Sequence, residues 1–194
     1  MLSFQEPFSA FSHWYAEAVR SEPSEPDAMA LATVDASGRP SVRMVLMKGM
    51  NEDGLTFYTN LGSRKAAALD LNRFASVVFH WRSLQRQVVV EGAVEPVMPF
   101  EADEYFRSRP RGSQVGAWAS DQGKVLGSRL ELEQRVTEYE RKFEGAEVPR
   151  PPHWSGFRMV PDRFEFWQGM ASRLHVRTEY RRVDGAWEAV TLFP

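Results

Sequence analysis

The chain has 194 residues, 43% of them hydrophobic and 26% charged, with a formal net charge of −2. This balance fits one ordinary globular domain with a sizeable core, and it supplies no field to draw nucleic acid or an anionic membrane. The absence of cysteine excludes disulfides and thiolate metal sites; with no basic-then-apolar leader and no apolar run of bilayer length, the expectation is a soluble, cytoplasmic protein.

Phe8, Phe11, Trp14, Tyr15, Ala18 and Val19 recur at helical spacing after Pro7, predicting an N-terminal helix within residues 1–22. "SEPSEPD" breaks it. Three strand-like runs follow, "AMALATVD", "SVRMVLMKG" and "LTFYTN", separated by the turn signals "ASGRP" and "NEDG", which predicts an antiparallel meander. "SRKAAALDLN" reads as a short helix, and "FASVVFHW" and "QRQVVVEGAVEPV" as long strands. Residues 99–145 turn helical, ending in "RLELEQRVTEYERKFEG" with an expected apolar stripe of Leu130, Val136 and Phe143. Residues 156–194 return to strands: "GFRMVP", "RFEFWQG", "RLHVRTEYRRV" and "AWEAVTLFP", the last two joined by an Asp184-Gly185 turn. In "RLHVR", alternation would place Arg173, His175 and Arg177 on one face, with Leu174 and Val176 toward the core. The fold class expected for this single domain, 1–194, is α+β, with an antiparallel sheet curled into a barrel and helices at its periphery.

No HExxH, P-loop or dinucleotide-binding glycine signature occurs, and His13, His80, His153 and His175 form no metal-binding pair at short spacing. Small basic clusters beside hydroxyls stand out instead. "YTNLGSRKA" sets Tyr58 and Thr59 at a strand end, then Ser63, Arg64 and Lys65 at a helix start. A phosphate site is one reading; a helix cap beside solvated cations is the other. Arg43 and Lys48 lie in an apolar strand, where they are either liganded or reach out to water. "YFRSRPRGSQVGAW" groups Arg107, Arg109 and Arg111 with Tyr105 and Ser113, as an anion site or as a solvated loop. Gln87 heads a valine-rich strand, where its amide can read a polar ring or satisfy backbone groups. Anion sites without a nucleophile or metal suit an enzyme that leaves its chemistry to an organic cofactor.

"RMVLMK", "FYTNLGSRKA", "RQVVVEG", "YFRSRPRGSQVGAW", "EFWQG" and "RLHVR", in this order from about Ala28 to the C-terminus, resemble the pyridoxamine 5′-phosphate oxidase family. The resemblance implies a split β-barrel homodimer with two FMN sites at the subunit interface. By position it assigns FMN contacts to Arg43, Met44, Val45, Leu46, Met47, Lys48, Tyr58, Thr59, Arg64, Lys65, Gln87, Gln122, Trp167 and Arg177. Substrate contacts would be Lys48, Tyr105, Arg109, Ser113, Arg173 and His175. Tyr105, Arg109 and Ser113 would hold the substrate phosphate, and Arg173 and His175 would stand at the reacting ring as the catalytic pair. The implied reaction is oxidation of a phosphorylated B6 vitamer to pyridoxal 5′-phosphate, with dioxygen as acceptor and hydrogen peroxide released.

The chain departs from the family pattern in places. The first arginine is Arg20, inside the first helix, so an N-terminal lid carrying Arg and Tyr is expected to be missing. Val176 replaces an aspartate, Met170 a glycine, Thr191 an arginine and Gly123 a serine. Two other readings stand beside the oxidase: a split-barrel flavin oxidase of the phenazine-biosynthesis type, and a non-catalytic FMN or pyridoxal-phosphate binding protein.

Overall fold

The structure, a computed structural model, describes residues 6–194. Residues 1–5 of the expected N-terminal segment lie outside the described residues. Helix α1 (Pro7–Ser21) opens on Pro7, whose missing N–H is no loss in a first turn. It buries Ala10, Phe11, Trp14 and Ala18 against the sheet, while Val19 is 53% exposed. Arg86 lies over the Trp14 ring at 4.5 Å and pairs with Glu17, fixing the helix to the sheet from its polar side.

Strands β1 (Ala28–Val34) and β2 (Pro40–Leu46) pair in a hairpin, and β3 (Gly49–Asn51) pairs with β4 (Gly54–Asn60). Helix α2 (Arg64–Leu71) leads to β5 (Phe74–Trp81) and β6 (Arg86–Pro96). Helices α3 (Pro99–Ser108), α4 (Arg111–Ala119) and α5 (Arg129–Lys142) come next. Strands β7 (Trp154–Gln168), β8 (Val176–Val183) and β9 (Ala186–Leu192) complete the chain. The strand order is β2-β1-β5-β6-β7-β4-β3, with β8 and β9 branching from β7, and every pairing is antiparallel.

The expected α+β class and curled sheet are found. Just beyond β2, the Lys48 N–H donates to the Thr56 carbonyl of β4 at 2.8 Å, so an end of the sheet turns back on its other half. The enclosed core includes Phe57, Phe79, Phe164, Phe166, Val88 and Val90, with Phe11 and Trp14 of α1 beside them. Each fully buried phenylalanine contributes about 1.5–3 kcal/mol relative to leaving it in water.

Two expectations are corrected here. "GFRMVP" and "RFEFWQG" are one strand, β7, rather than two. The break suggested by Pro161 is absorbed by a register shift at Glu91/Gly92 of β6: Gly92 faces Pro161 and Glu91 faces Arg163. The proline, which has no N–H to donate, falls where the ladder is already irregular. The α5 stripe is also narrower than expected. Leu130 is 61% exposed, and contact with the body comes through Val136, Tyr139 and Phe143 around Trp118.

Candidate active site

The ends of β2 and β4, the start of α2, and α3 with α4 surround a cavity of about 670 Å³. Eleven sequence-predicted residues line it: Met44, Val45, Leu46, Lys48, Tyr58, Thr59, Lys65, Tyr105, Arg109, Ser113 and Gln122. Residues separated by up to 78 positions in the chain thus face one space. Arg43 and Met47, on and just past the same strand, do not line it. Met47 is 6% exposed in the core, and Arg43 turns back toward β1. Arg64 does not line it either; it is an exposed side chain 3.8 Å from Asp35.

The cations around this cavity are held by unusual partners. Lys65, 9% exposed, donates from Nζ to Thr59 Oγ1 at 2.9 Å, Ser63 Oγ at 3.2 Å and Gln122 Oε1 at 2.9 Å, all neutral oxygens. Burial, and then the nearby Arg43, push its ammonium below the ordinary lysine range. Arg43 donates to the Leu31 carbonyl, Thr33 Oγ1 and Ser41 Oγ, again without a carboxylate. Arg109 Nη1 is buried with no hydrogen-bond partner among the described residues, and burial lowers its pKa. Lys48 is the exception, paired with Asp27 at 2.7 Å. Desolvated cations surrounded by neutral acceptors are costly unless an anion joins them, so the cavity lining suits anionic groups.

A second group forms elsewhere. Gln87, Trp167 and Arg177 are register partners across β6, β7 and β8, giving one cross-strand row. The His175 ring stands 4.5 Å from the Trp167 ring, centre to centre. Trp167 lies near one end of β7, whereas the cavity-lining Trp154 begins the other. Roughly 40 Å of strand separates them at 3.3 Å per residue. None of Gln87, Trp167, His175 and Arg177 lines the cavity.

The expected strand through "RLHVR" is corrected. Ala171–Arg173 forms a tight 3₁₀ turn, and β8 begins only at Val176. Ser172 and Arg173 have φ of 56° and 61°, left-handed values outside the extended region of a regular strand. The Leu174 N–H donates to the Ala171 carbonyl at 3.2 Å and the Met170 N–H to His175 Nδ1 at 3.2 Å. These bonds close the turn and interrupt the alternation. Leu174 is 69% exposed instead of facing the core, and Arg173 is also exposed.

Sequence reasoning missed Trp154 and Asn60. Trp154 sits in "EVPRPPHWSG", which reads as a surface loop, yet it is 6% exposed and stacks on Tyr58 at 5.4 Å with planes 4° apart. Asn60 donates from Nδ2 to the Ser120 carbonyl at 3.2 Å, tying β4 to the end of α4. A tryptophan beside a proline-rich stretch was the one available signal, since so large a ring rarely remains in water without cause.

Residues 15–143 match the family described as pyridoxamine 5′-phosphate oxidase, and residues 154–194 match the pyridoxine 5′-phosphate oxidase C-terminal dimerisation region. A pyridoxine/pyridoxamine 5′-phosphate oxidase of Rhizobium etli is 52% identical over 191 residues, covering 97% of this chain and 93% of that one. One from a Synechocystis species is 49% identical, with 97% and 88% covered. Among solved structures, PhzG from Burkholderia lata, in complex with tetrahydrophenazine-1-carboxylic acid, superposes with a TM-score of 0.93 at 31% identity, covering 99% of this chain and 94% of that one. Both family regions fall on the sheet and helices that build the two residue groups, and the relatives match nearly end to end: the chain belongs to the pyridoxamine 5′-phosphate oxidase family.

Proposed function

We propose that the protein is an FMN-dependent oxidase that converts pyridoxamine 5′-phosphate or pyridoxine 5′-phosphate to pyridoxal 5′-phosphate. The observation that carries this reading is Arg109 in the cavity wall, resting on aromatic rings rather than a carboxylate, with Tyr105 and Ser113 lining the same space. A guanidinium and two hydroxyls suit a phosphate monoester. The FMN phosphate suits the second cationic patch, Lys65 with Arg43 behind it, where the ammonium has only neutral oxygens around it. The chemistry that FMN would supply when bound is uptake of two electrons from the substrate carbon and their delivery, with two protons, to dioxygen, released as hydrogen peroxide; with the amine substrate, water supplies the aldehyde oxygen and the nitrogen leaves as ammonia.

The chain's own residues bind and orient. Tyr105, Arg109 and Ser113 fix the phosphate end, and Lys48, held by Asp27 in the same cavity wall, is assigned to the ring end. Holding the reacting carbon in register is the main contribution, because the scheme requires no strong general base. Gln87, Trp167, Arg173, His175 and Arg177 do not line this cavity in their own chain, and we assign them to the cavity of a second copy. The match of residues 154–194 to a dimerisation region supports that assignment. Residues 1–194 then act as one unit, working as a homodimer in the cytoplasm.

The likeness to PhzG gives a second reading, oxidation of a tricyclic carboxylate. Absorbance spectra of the FMN-loaded protein before and after anaerobic addition of pyridoxamine 5′-phosphate test the choice. Bleaching of the flavin bands is expected, with peroxide formed on admitting air. A protein that takes up no FMN, or whose bands do not change, refutes the proposal.

A further inference from the structure

Most buried or half-buried arginines of this chain rest on carboxylates: Arg150 on Asp103, Arg158 on Glu101, Arg163 on Glu179 and Arg177 on Glu165. Arg109 rests on rings. Its guanidinium carbon stands 4.8 Å from the Trp154 ring centre and 5.5 Å from that of Phe106. Trp154 is itself immobilised. Tyr58 stacks on it, Phe106 meets it edge-on at 5.0 Å, and its carbonyl accepts from Arg150 Nη1 at 2.7 Å. A carboxylate would occupy the in-plane N–H donors of Arg109 and cancel its charge. An aromatic face attracts the same cation from above its plane and leaves those donors unused.

We infer that Trp154 is a positioning residue for phosphate recognition: its indole face holds Arg109 in place while sparing its charge and donors for a phosphate monoester dianion. The inference rests on the reading above, in which Arg109 meets the substrate phosphate. It adds a source of selectivity, because the benefit of Trp154 reaches only ligands that carry the phosphate.

The test is equilibrium binding of pyridoxal 5′-phosphate, and of unphosphorylated pyridoxal, to the FMN-loaded protein. Trp154→Leu and Trp154→Phe are each made in the wild-type and Arg109→Met backgrounds. With Arg109 present, Trp154→Leu is expected to weaken pyridoxal 5′-phosphate binding about tenfold and Trp154→Phe about two- to threefold, since tryptophan offers the strongest face. Pyridoxal binding is expected to hold within about twofold, as is the effect of either change once Arg109 is gone. Equal losses in both backgrounds, or equal losses for both ligands, would show that Trp154 only supports the fold and overturn the inference. Should Trp154→Leu not fold, Trp154→Phe carries the same comparison. If Arg109→Met alone leaves pyridoxal 5′-phosphate binding intact, the assignment of the phosphate site fails instead, which is a separate result.

Discussion

Arg177 donates from Nε to Glu165 Oε1 at 2.8 Å, with Nη2 at 2.8 Å from the same oxygen. The other carboxylate oxygen takes Arg163 Nη2 at 2.7 Å, and Arg163 Nε continues to Glu179 at 2.6 Å. Arg177 is thus oriented from the neighbouring strand β7. By the period of two, Val176 lies on the opposite face from Arg177, with Thr178 and Tyr180. An aspartate at 176 would not point at Arg177, which explains how valine is accommodated there.

Glu165→Gln should therefore loosen the row that carries Arg177. The amide keeps the shape but removes the charge shared by two guanidiniums in a largely buried setting. The expected loss is about 1–3 kcal/mol of stability by denaturant titration, together with weaker FMN retention. An unchanged midpoint and unchanged flavin content would show that Glu165 does not orient Arg177.

Acid should act through the same carboxylate. Burial raises the Glu165 carboxyl, but hydrogen bonds and charge from Arg177 and Arg163 outweigh it and hold it below the usual range. A folded pKa below the unfolded value gives stability that is fully present above the unfolded value, about 4.3, and lost as pH falls through the folded one. Thermal midpoints should be level between about pH 7 and 5.5 and fall below that. The fall should be shallower in Glu165→Gln; parallel curves would assign the acid sensitivity to other groups.

Lys65→Met separates folding from ligand binding. In the protein without flavin, the ammonium is desolvated against neutral oxygens and crowded by Arg43. Methionine removes that penalty, so the flavin-free variant should match or exceed the wild-type thermal midpoint. Its FMN affinity should fall about tenfold to a hundredfold, the loss of a charged hydrogen bond to phosphate. Loss of flavin-free stability with unchanged affinity would make Lys65 a structural cation.

The strands and helices were legible because their signals are local. Pro7 and the aromatic spacing set α1, and the valine-rich run set β6. The turn at Ala171–Arg173 was not legible. Ser172 and Arg173 carry no glycine-like signal, and their left-handed backbone is imposed by contacts such as that of Met170 with His175. Within the site, the basic and hydroxyl residues were found from short motifs. Trp154 was not, since its role depends on Tyr58 and Arg109, which are distant in sequence. Nor does the sequence show that Gln87, Trp167 and Arg177 form one cross-strand row outside the cavity lining; the strand register reveals it.

Gly156 offers a stability test that also probes the aromatic wall. It pairs with Tyr58 across β4 and β7. A Cβ added there would lie 2.6 Å from Tyr58 Cδ1, 2.8 Å from Cε1 and 2.9 Å from the Phe57 carbonyl oxygen. The ring cannot yield freely, because Tyr105 stacks on it at 4.1 Å and Trp154 at 5.4 Å. Gly156→Ala should therefore cost about 1–3 kcal/mol by overpacking, measured by denaturant titration. The strain should also pass through Tyr58 to Trp154 and Arg109, so pyridoxal 5′-phosphate binding should weaken beyond what the stability loss explains. If the variant loses stability but binds normally, the stack tolerates displacement without disturbing Arg109.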